Sequence, residues 1–123
     1  MSMPDLEVRA TTAQVVEAVH DPHASTSAAA REGRRLLTSL PGFTTGDALA
    51  SAVLVAAAPH RMAVYDRRAH RGLALLGETL SSSPGRYGCY MQLIDELLVS
   101  AHRHDDTWLA RDVDLALYWI GGS

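Results

Sequence analysis

The chain has 123 residues, 47% of them hydrophobic and 20% charged, which fits one globular domain and excludes an intrinsically disordered segment. Net charge is −3, and the single cysteine, Cys89, excludes an intramolecular disulfide and any multi-cysteine zinc or iron–sulfur site. All eleven basic residues are arginine, so no lysine is present to form a Schiff base, and lyase chemistry would need the N-terminal amine.

The charge is uneven. Residues 31–71 carry seven arginines against Glu32, Asp47 and Asp66, while both ends of the chain are acidic. A basic middle of this kind fits either a nucleic-acid-facing surface or internal pairing with the acidic ends. The first residues show neither a basic region nor an apolar run, so no secretory signal is read there. The longest apolar run, 48–58, is interrupted by Ser51 and is too short to span a bilayer. The expectation is a cytoplasmic protein in a reducing compartment, without a membrane segment.

In chain order, residues 1–10 are expected to be a flexible arm, and Thr11 with Gln14 reads as the start of a first helix. Val15, Val16 and Val19 form its apolar face, and Asp21-Pro22 ends it. Ser25-Thr26-Ser27 offers N-cap oxygens for a second helix over about 26–39. Gly33 inside that helix is unfavourable by about 1 kcal/mol relative to alanine; either a neighbour approaches closely there or the helix simply tolerates it. Pro41-Gly42 breaks the helix. Thr44 or Thr45 can cap a third, alanine-rich helix beginning near Asp47 and ending at Pro59. Met62 to Tyr65 is expected to be extended without being a strand, because no partner strand exists.

Asp66 stands where an N-cap belongs, and the helix after it buries Leu73 with Leu75 or Leu76. Asp66 and His70 are spaced for an ion pair. Residues 81–85 read as a flexible loop. A long amphipathic helix follows over about 86–102, with Tyr90, Leu93, Ile94, Leu97 and Leu98 recurring at helical steps. Cys89 lies in it and is expected to be buried and inert. After a polar turn at His102 to Asp106, Asp112 caps a last helix with Val113, Leu117 and Ile120 inward. The reading is all-α, about six helices in a single domain, without internal repeats. Residues 102–106 have the wrong spacing for a metal site, and no third ligand is identifiable. No metal or other cofactor is expected, and no nucleophile for a catalytic triad is identifiable.

Three pieces of sequence match one pattern. They are Leu40-Pro41-Gly42-Phe43 followed by Ala50-Ser51-Ala52-Val53-Leu54, then Pro59-His60-Arg61 leading to Val64-Tyr65-Asp66-Arg67-Arg68-Ala69, then Tyr87 and Tyr90 followed by Arg111-Asp112-Val113-Asp114-Leu115-Ala116-Leu117-Tyr118-Trp119. In this order they cover roughly residues 30–121 and resemble small bacterial proteins related to the helix-hairpin-helix DNA glycosylase superfamily, a truncated form of the 8-oxoguanine-glycosylase type.

The resemblance implies a helix-hairpin-helix glycosylase-like half-barrel. It implies that backbone N–H groups at Gly42, Phe43, Thr44, Thr45 and Gly46 hold a DNA phosphate, as a glycine turn at a helix N-terminus can. Arg35, Arg67, Arg68 and Arg71 would add charge. Asp66 matches the aspartate that stabilises the positive sugar or activates water once the base is flipped out. Three departures qualify this. Thr44 replaces the second glycine of the hairpin, and threonine tolerates positive φ poorly. The lysine of the bifunctional enzymes falls near Arg35. Only about 40 residues precede the hairpin, where catalytic relatives spend more chain on the base pocket.

The leading expectation is therefore a nucleic-acid-binding protein, with DNA as partner, that is not catalytic alone. One alternative is a protein-interaction module on the same fold, a homodimer or a complex formed through Tyr118, Trp119 and the helix around Leu97. Another is a monofunctional glycosylase using Asp66. At residue level, Asp66 also reads as a plain helix cap, Gly42 to Gly46 as an ordinary turn, Arg67, Arg68 and Arg71 as solvated or paired, and Trp108, Tyr118 and Trp119 as core or interface anchors.

Overall fold

A computed structural model describes residues 5–44, 46–80 and 85–122. Among these the protein is all-α, with six helices and no strand: α1 (Asp5–His20), α2 (Thr26–Leu37), α3 (Ala48–Ala57), α4 (Arg67–Leu75), α5 (Arg86–His102) and α6 (Ala110–Gly121). No described helix is long and apolar enough to cross a membrane.

Helix α1 begins well before Thr11, so residues 5–10 are helical rather than a free arm; residues 1–4 lie outside the described residues. Asp5 and Glu7 occupy its first turn, where the helix dipole favours negative charge. Thr12 does not cap; its hydroxyl donates back to the Val8 carbonyl at 2.7 Å, a bond made inside a helix. Val15 and Val19 face the core and Val16 faces outward. Arg61 then closes the α1–α2 link by donating to the carbonyls of Val19 at 3.1 Å, of Asp21 at 2.9 Å and of Ala24.

Ser25 caps α2 as expected, its hydroxyl accepting the Ala28 N–H at 3.1 Å. Gly33 answers to packing. A Cβ there would stand 2.7 Å from Val19 Cγ1 and 2.9 Å from Leu54 Cδ2, so α1 and α3 close on α2 at this point. The α4–α6 crossing is tighter still. A Cβ on Gly72 would collide with the Leu117 carbonyl, and one on Gly121 with the Arg68 carbonyl.

The centre of the core is the extended segment 62–65, threaded between helices. Met62, Ala63 and Tyr65 are buried, and buried backbone polar groups require partners. With no strand beside them, side chains supply these. Asp114 Oδ2 accepts the Val64 N–H at 2.7 Å, and Ser51 Oγ accepts the Tyr65 N–H at 2.9 Å. The hydroxyls of Tyr87 and Tyr90 donate to the carbonyls of Ala63 and Val64, each at 2.7 Å. This explains why two tyrosines, a serine and an aspartate lie in an otherwise apolar interior.

Several expected core positions face solvent. Leu73 is buried, but Leu75 and Leu76 are exposed. Helix α4 stops there: Gly77 takes φ 86°, its N–H bonds to the Ala74 carbonyl at 3.0 Å, and the Glu78 N–H bonds to the Leu73 carbonyl at 2.9 Å. This is a Schellman ending, and it turns the chain away before Leu76 can reach the core. Ile120 is exposed while Val113 and Leu117 are buried, because the close contacts at Gly72 and Gly121 fix which face of α6 meets α4. Cys89 is exposed rather than buried; Gly88 and Tyr90 take the inward positions beside it. Leu109 holds the N-cap position of α6, and Asp112 reaches back from the first turn to accept the Leu109 N–H at 2.7 Å. The loop expected at 81–85 lies, except for Gly85, outside the described residues.

Candidate functional site

The turn between α2 and α3 is built on two glycines with positive φ, Gly42 at 89° and Gly46 at 75°. Nothing lies within 4 Å of where either Cβ would stand, so the requirement is conformational and not one of space. The Phe43 N–H is already donated to the Leu40 carbonyl at 3.3 Å, which closes the first half of the turn on itself. Thr45 lies outside the described residues. The residue before α3 is Asp47, not a threonine, and its side chain makes no cap.

Asp47 is engaged elsewhere. Its Oδ1 accepts Arg34 Nε and its Oδ2 accepts Arg86 Nε, both at 2.9 Å. Arg34 also donates to the carbonyls of Phe43 at 2.7 Å and Gly46 at 3.0 Å. One guanidinium thus holds both sides of the turn and the aspartate that follows it. Because that carboxylate is turned to the arginines, the first N–H groups of α3 are left without a side-chain cap.

Asp66, in contrast, is a working N-cap. Its backbone is extended, and its Oδ1 accepts the Ala69 N–H at 2.9 Å. His70 pairs with Tyr65 and not with Asp66: Nδ1 lies 2.7 Å from the Tyr65 hydroxyl. Arg86, at the start of α5, sets its guanidinium 5.2 Å from the centre of the Tyr65 ring.

These groups meet in a cleft of about 280 Å³. Gly46, Asp47 and Ala48 form one side, Tyr65, Asp66, Arg67 and His70 another, and Arg86 the third. The N-terminal ends of α3, α4 and α5 therefore open onto one hollow. Asp47 is neutralised between two arginines. Among the described residues Arg67 has no hydrogen-bond or ion-pair partner. The uncapped N–H groups of α3, Arg67 and Arg86 thus face a hollow whose Asp47 is already paired, which suits an anion.

Behind the cleft, Asp114 is 3% exposed. Burial pushes its carboxyl up to about 6, against the pull of the Val64 N–H and of Arg111, and the Asp66 carboxylate raises it further. Tyr65 is buried as well, and burial pushes its phenol up.

Comparison with protein-family models, curated proteins and solved structures finds no match to this chain.

Of the residues expected from sequence, Gly46, Asp66 and Arg67 line the cleft. Gly42, Phe43 and Thr44 lie in the turn that leads to it. Arg35 pairs with Glu32 at 2.5 Å and lines a separate, more open groove of about 790 Å³ between α1 and α2. That pairing lowers the Glu32 carboxyl. The larger groove sets Glu17, Asp21 and Glu32 around Arg35, which is itself paired with Glu32, so it suits an anion less well than the smaller cleft. Arg68 donates to the Tyr118 hydroxyl and lies 4.5 Å from the centre of that ring. Arg71 reaches the Gly121 carbonyl at 3.3 Å. Arg67, Arg68 and Arg71, all in α4, thus go to different places.

Sequence reasoning missed Arg34, Asp47 and Arg86 as site-building residues. No local pattern reveals them, since Arg34 and Arg86 converge on Asp47 from two other helices. Tyr65 was legible only as part of an apolar run.

Proposed function

We propose that this chain is a small nucleic-acid-binding protein of the helix-hairpin-helix type, similar to the DNA glycosylases and to their half-barrel, and not catalytic by itself. The observation that carries this reading is the convergence of the hairpin end at Gly46, the uncapped start of α3, Arg67 and Arg86 on one cleft. Phosphate contacts by arginine and by helix N-terminal amides are the sequence-independent part of nucleic-acid recognition. One oxygen of Asp66 is committed to its own helix, so capping accounts for that residue without chemistry.

Fluorescence anisotropy of labelled short duplex and single-stranded DNA across a salt series tests the proposal. Log affinity should fall linearly with log salt, and Arg67→Ala should lower that slope by about one while weakening every sequence alike. Absence of binding at low salt sinks the reading.

A second reading rests on a different feature. Trp119 is 79% exposed on α6, with Leu115, Tyr118 and Ile120 also exposed on that helix. Large apolar side chains left in solvent together are the mark of a protein contact surface, and a homodimer or a protein partner is the alternative function. Light scattering of the wild type and of Trp119→Ser separates the two readings: an assembly that Trp119→Ser dissolves, with no affinity for DNA, selects the second. A monofunctional glycosylase using Asp66 is the third reading, because the cleft opens beside that carboxylate. Base release from damaged duplex that Asp66→Asn abolishes selects it.

A further inference from the structure

His70 shares the cleft with Arg67 and Arg86, yet the hairpin and its arginines account for phosphate binding without it. Its surroundings are built with care. Tyr65 is 4% exposed. Its ring centre lies 4.5 Å from that of Tyr90, and its backbone N–H is held by Ser51 Oγ at 2.9 Å. The Tyr65 hydroxyl is therefore aimed by packing, and it meets His70 Nδ1 at 2.7 Å.

The burial that raises the Tyr65 phenol keeps its proton in place through the neutral range, and that proton is within reach of Nδ1. An imidazole that accepts at Nδ1 carries its proton on Nε2 when neutral. With Tyr65 as the donor one tautomer is selected, and Nε2 of His70 has no hydrogen-bond partner among the described residues. The imidazole is presented as a fixed donor whether or not it is charged.

We propose that His70 is a ligand-contacting residue of this cleft, that Tyr65 is its positioning residue, and that the group they take is a phosphate. Arg67, the Arg86 fork and the His70 Nε2–H are three separate donors. The tetrahedral oxygens of a phosphate can meet donors arriving from three sides, whereas the lone pairs of a carboxylate lie in one plane. Of the acidic groups of the cleft, Asp47 has both oxygens on arginines and Asp66 has one oxygen on the Ala69 N–H, so the arginines Arg34, Arg67 and Arg86 outnumber the two carboxylates. The inference rests on the nucleic-acid reading for the source of the phosphate, but a free nucleotide carries the same chemistry.

Ring-nitrogen NMR of the full-length, histidine-labelled chain tests this, with His70 assigned by its loss in His70→Leu. Inorganic phosphate, a nucleoside monophosphate and a short single-stranded oligonucleotide are titrated in turn. In the free protein His70 is expected as the Nε2–H tautomer, and Tyr65→Phe is expected to mix the tautomers. On oligonucleotide addition the Nε2 resonance moves. His70→Leu weakens binding about tenfold, and His70→Gln, which keeps an N–H near that position, restores most of it.

Oligonucleotide binding with an Arg67-dependent salt slope, but with His70 resonances unmoved and His70→Leu binding like the wild type, overturns the assignment of His70 and leaves the nucleic-acid reading standing. A shift with the monophosphate or inorganic phosphate, without oligonucleotide binding, supports the phosphate site and removes nucleic acid as its source. No response to any of the three overturns both.

Discussion

Asp114 on α6 holds the backbone N–H of Val64 at 2.7 Å, fifty residues away in sequence. Through that bond α6 fixes the segment that delivers Tyr65 and Asp66 to the cleft. A carboxylate rather than an amide does this, although the site is buried, because Arg111 donates to its other oxygen. The arrangement has a measurable dependence on pH.

In the folded protein the Asp114 carboxyl is pushed up to about 6, whereas an aspartate in an unfolded chain ionises near 3.9. Between these values the folded form holds a proton that the unfolded form has released. The contribution to stability is full below about pH 4 and is lost as pH rises through about 6. Asp114→Asn keeps an acceptor for Val64 and removes this dependence. Urea unfolding from pH 4 to pH 7 should show the wild type losing on the order of 1–3 kcal/mol relative to the variant across that window. Parallel profiles for the two proteins would contradict the account.

Arg34 braces the turn between α2 and α3 by three bonds from one guanidinium. Arg34→Ala leaves two carbonyls and one oxygen of a largely buried aspartate without that partner, and a loss of about 2–4 kcal/mol is expected. Arg34→Lys should recover only part, because an ammonium cannot present the planar fork. Chemical denaturation gives the values; a loss below about 0.5 kcal/mol for Arg34→Ala, the range of ordinary surface changes, would rule out the brace.

Replacing a helical glycine with alanine ordinarily adds about 1 kcal/mol of helix propensity. Here the crossings reverse the sign. Gly72→Ala drives a Cβ into the Leu117 backbone, while Gly33→Ala meets only the ends of Val19 and Leu54. Gly72→Ala should therefore cost about 1–3 kcal/mol and Gly33→Ala distinctly less. Thermal melts of both variants check the order; a Gly72→Ala protein more stable than the wild type would disprove the close approach of α4 and α6.

Asp66→Ala removes the cap on α4 and should cost about 1 kcal/mol, whereas Asp66→Asn, also a good capping residue, should stay close to the wild type. The pair separates stability from chemistry. Any activity lost in Asp66→Asn at unchanged denaturation midpoint belongs to the carboxylate itself.

How much of this was legible in sequence follows the range of the interaction. Ser25 and Asp66 were readable as caps because a cap and the N–H it accepts lie three residues apart. Pro41-Gly42 and Pro59 were readable as helix ends because proline and glycine act on their own backbone. The extended run at Met62 to Tyr65 was readable because no other strand exists to pair with it. Helix α1 was read too short because threonines that resemble a cap also fit inside a helix, where Thr12 bonds back to Val8. Cys89, Leu75 or Leu76, and Ile120 were expected in the core; the crossing of α4 with α6 and the Schellman turn at Gly77 decided otherwise for the leucines and Ile120, and the inward places of Gly88 and Tyr90 on α5 did so for Cys89.

The sequence by itself therefore determined the helices, their breaks and the position of Asp66 at a helix start, since these depend on neighbours within a few residues. Only the tertiary structure decided which charges remain available. Asp47, read only as the place where a helix begins, became the hub of Arg34 and Arg86. Arg68 went to Tyr118, Arg71 to Gly121, and Arg67 alone of the three was left facing the cleft. A charged side chain bonds whatever group packing brings within about 3 Å of it, and for Arg68 and Arg71 that group comes from another helix.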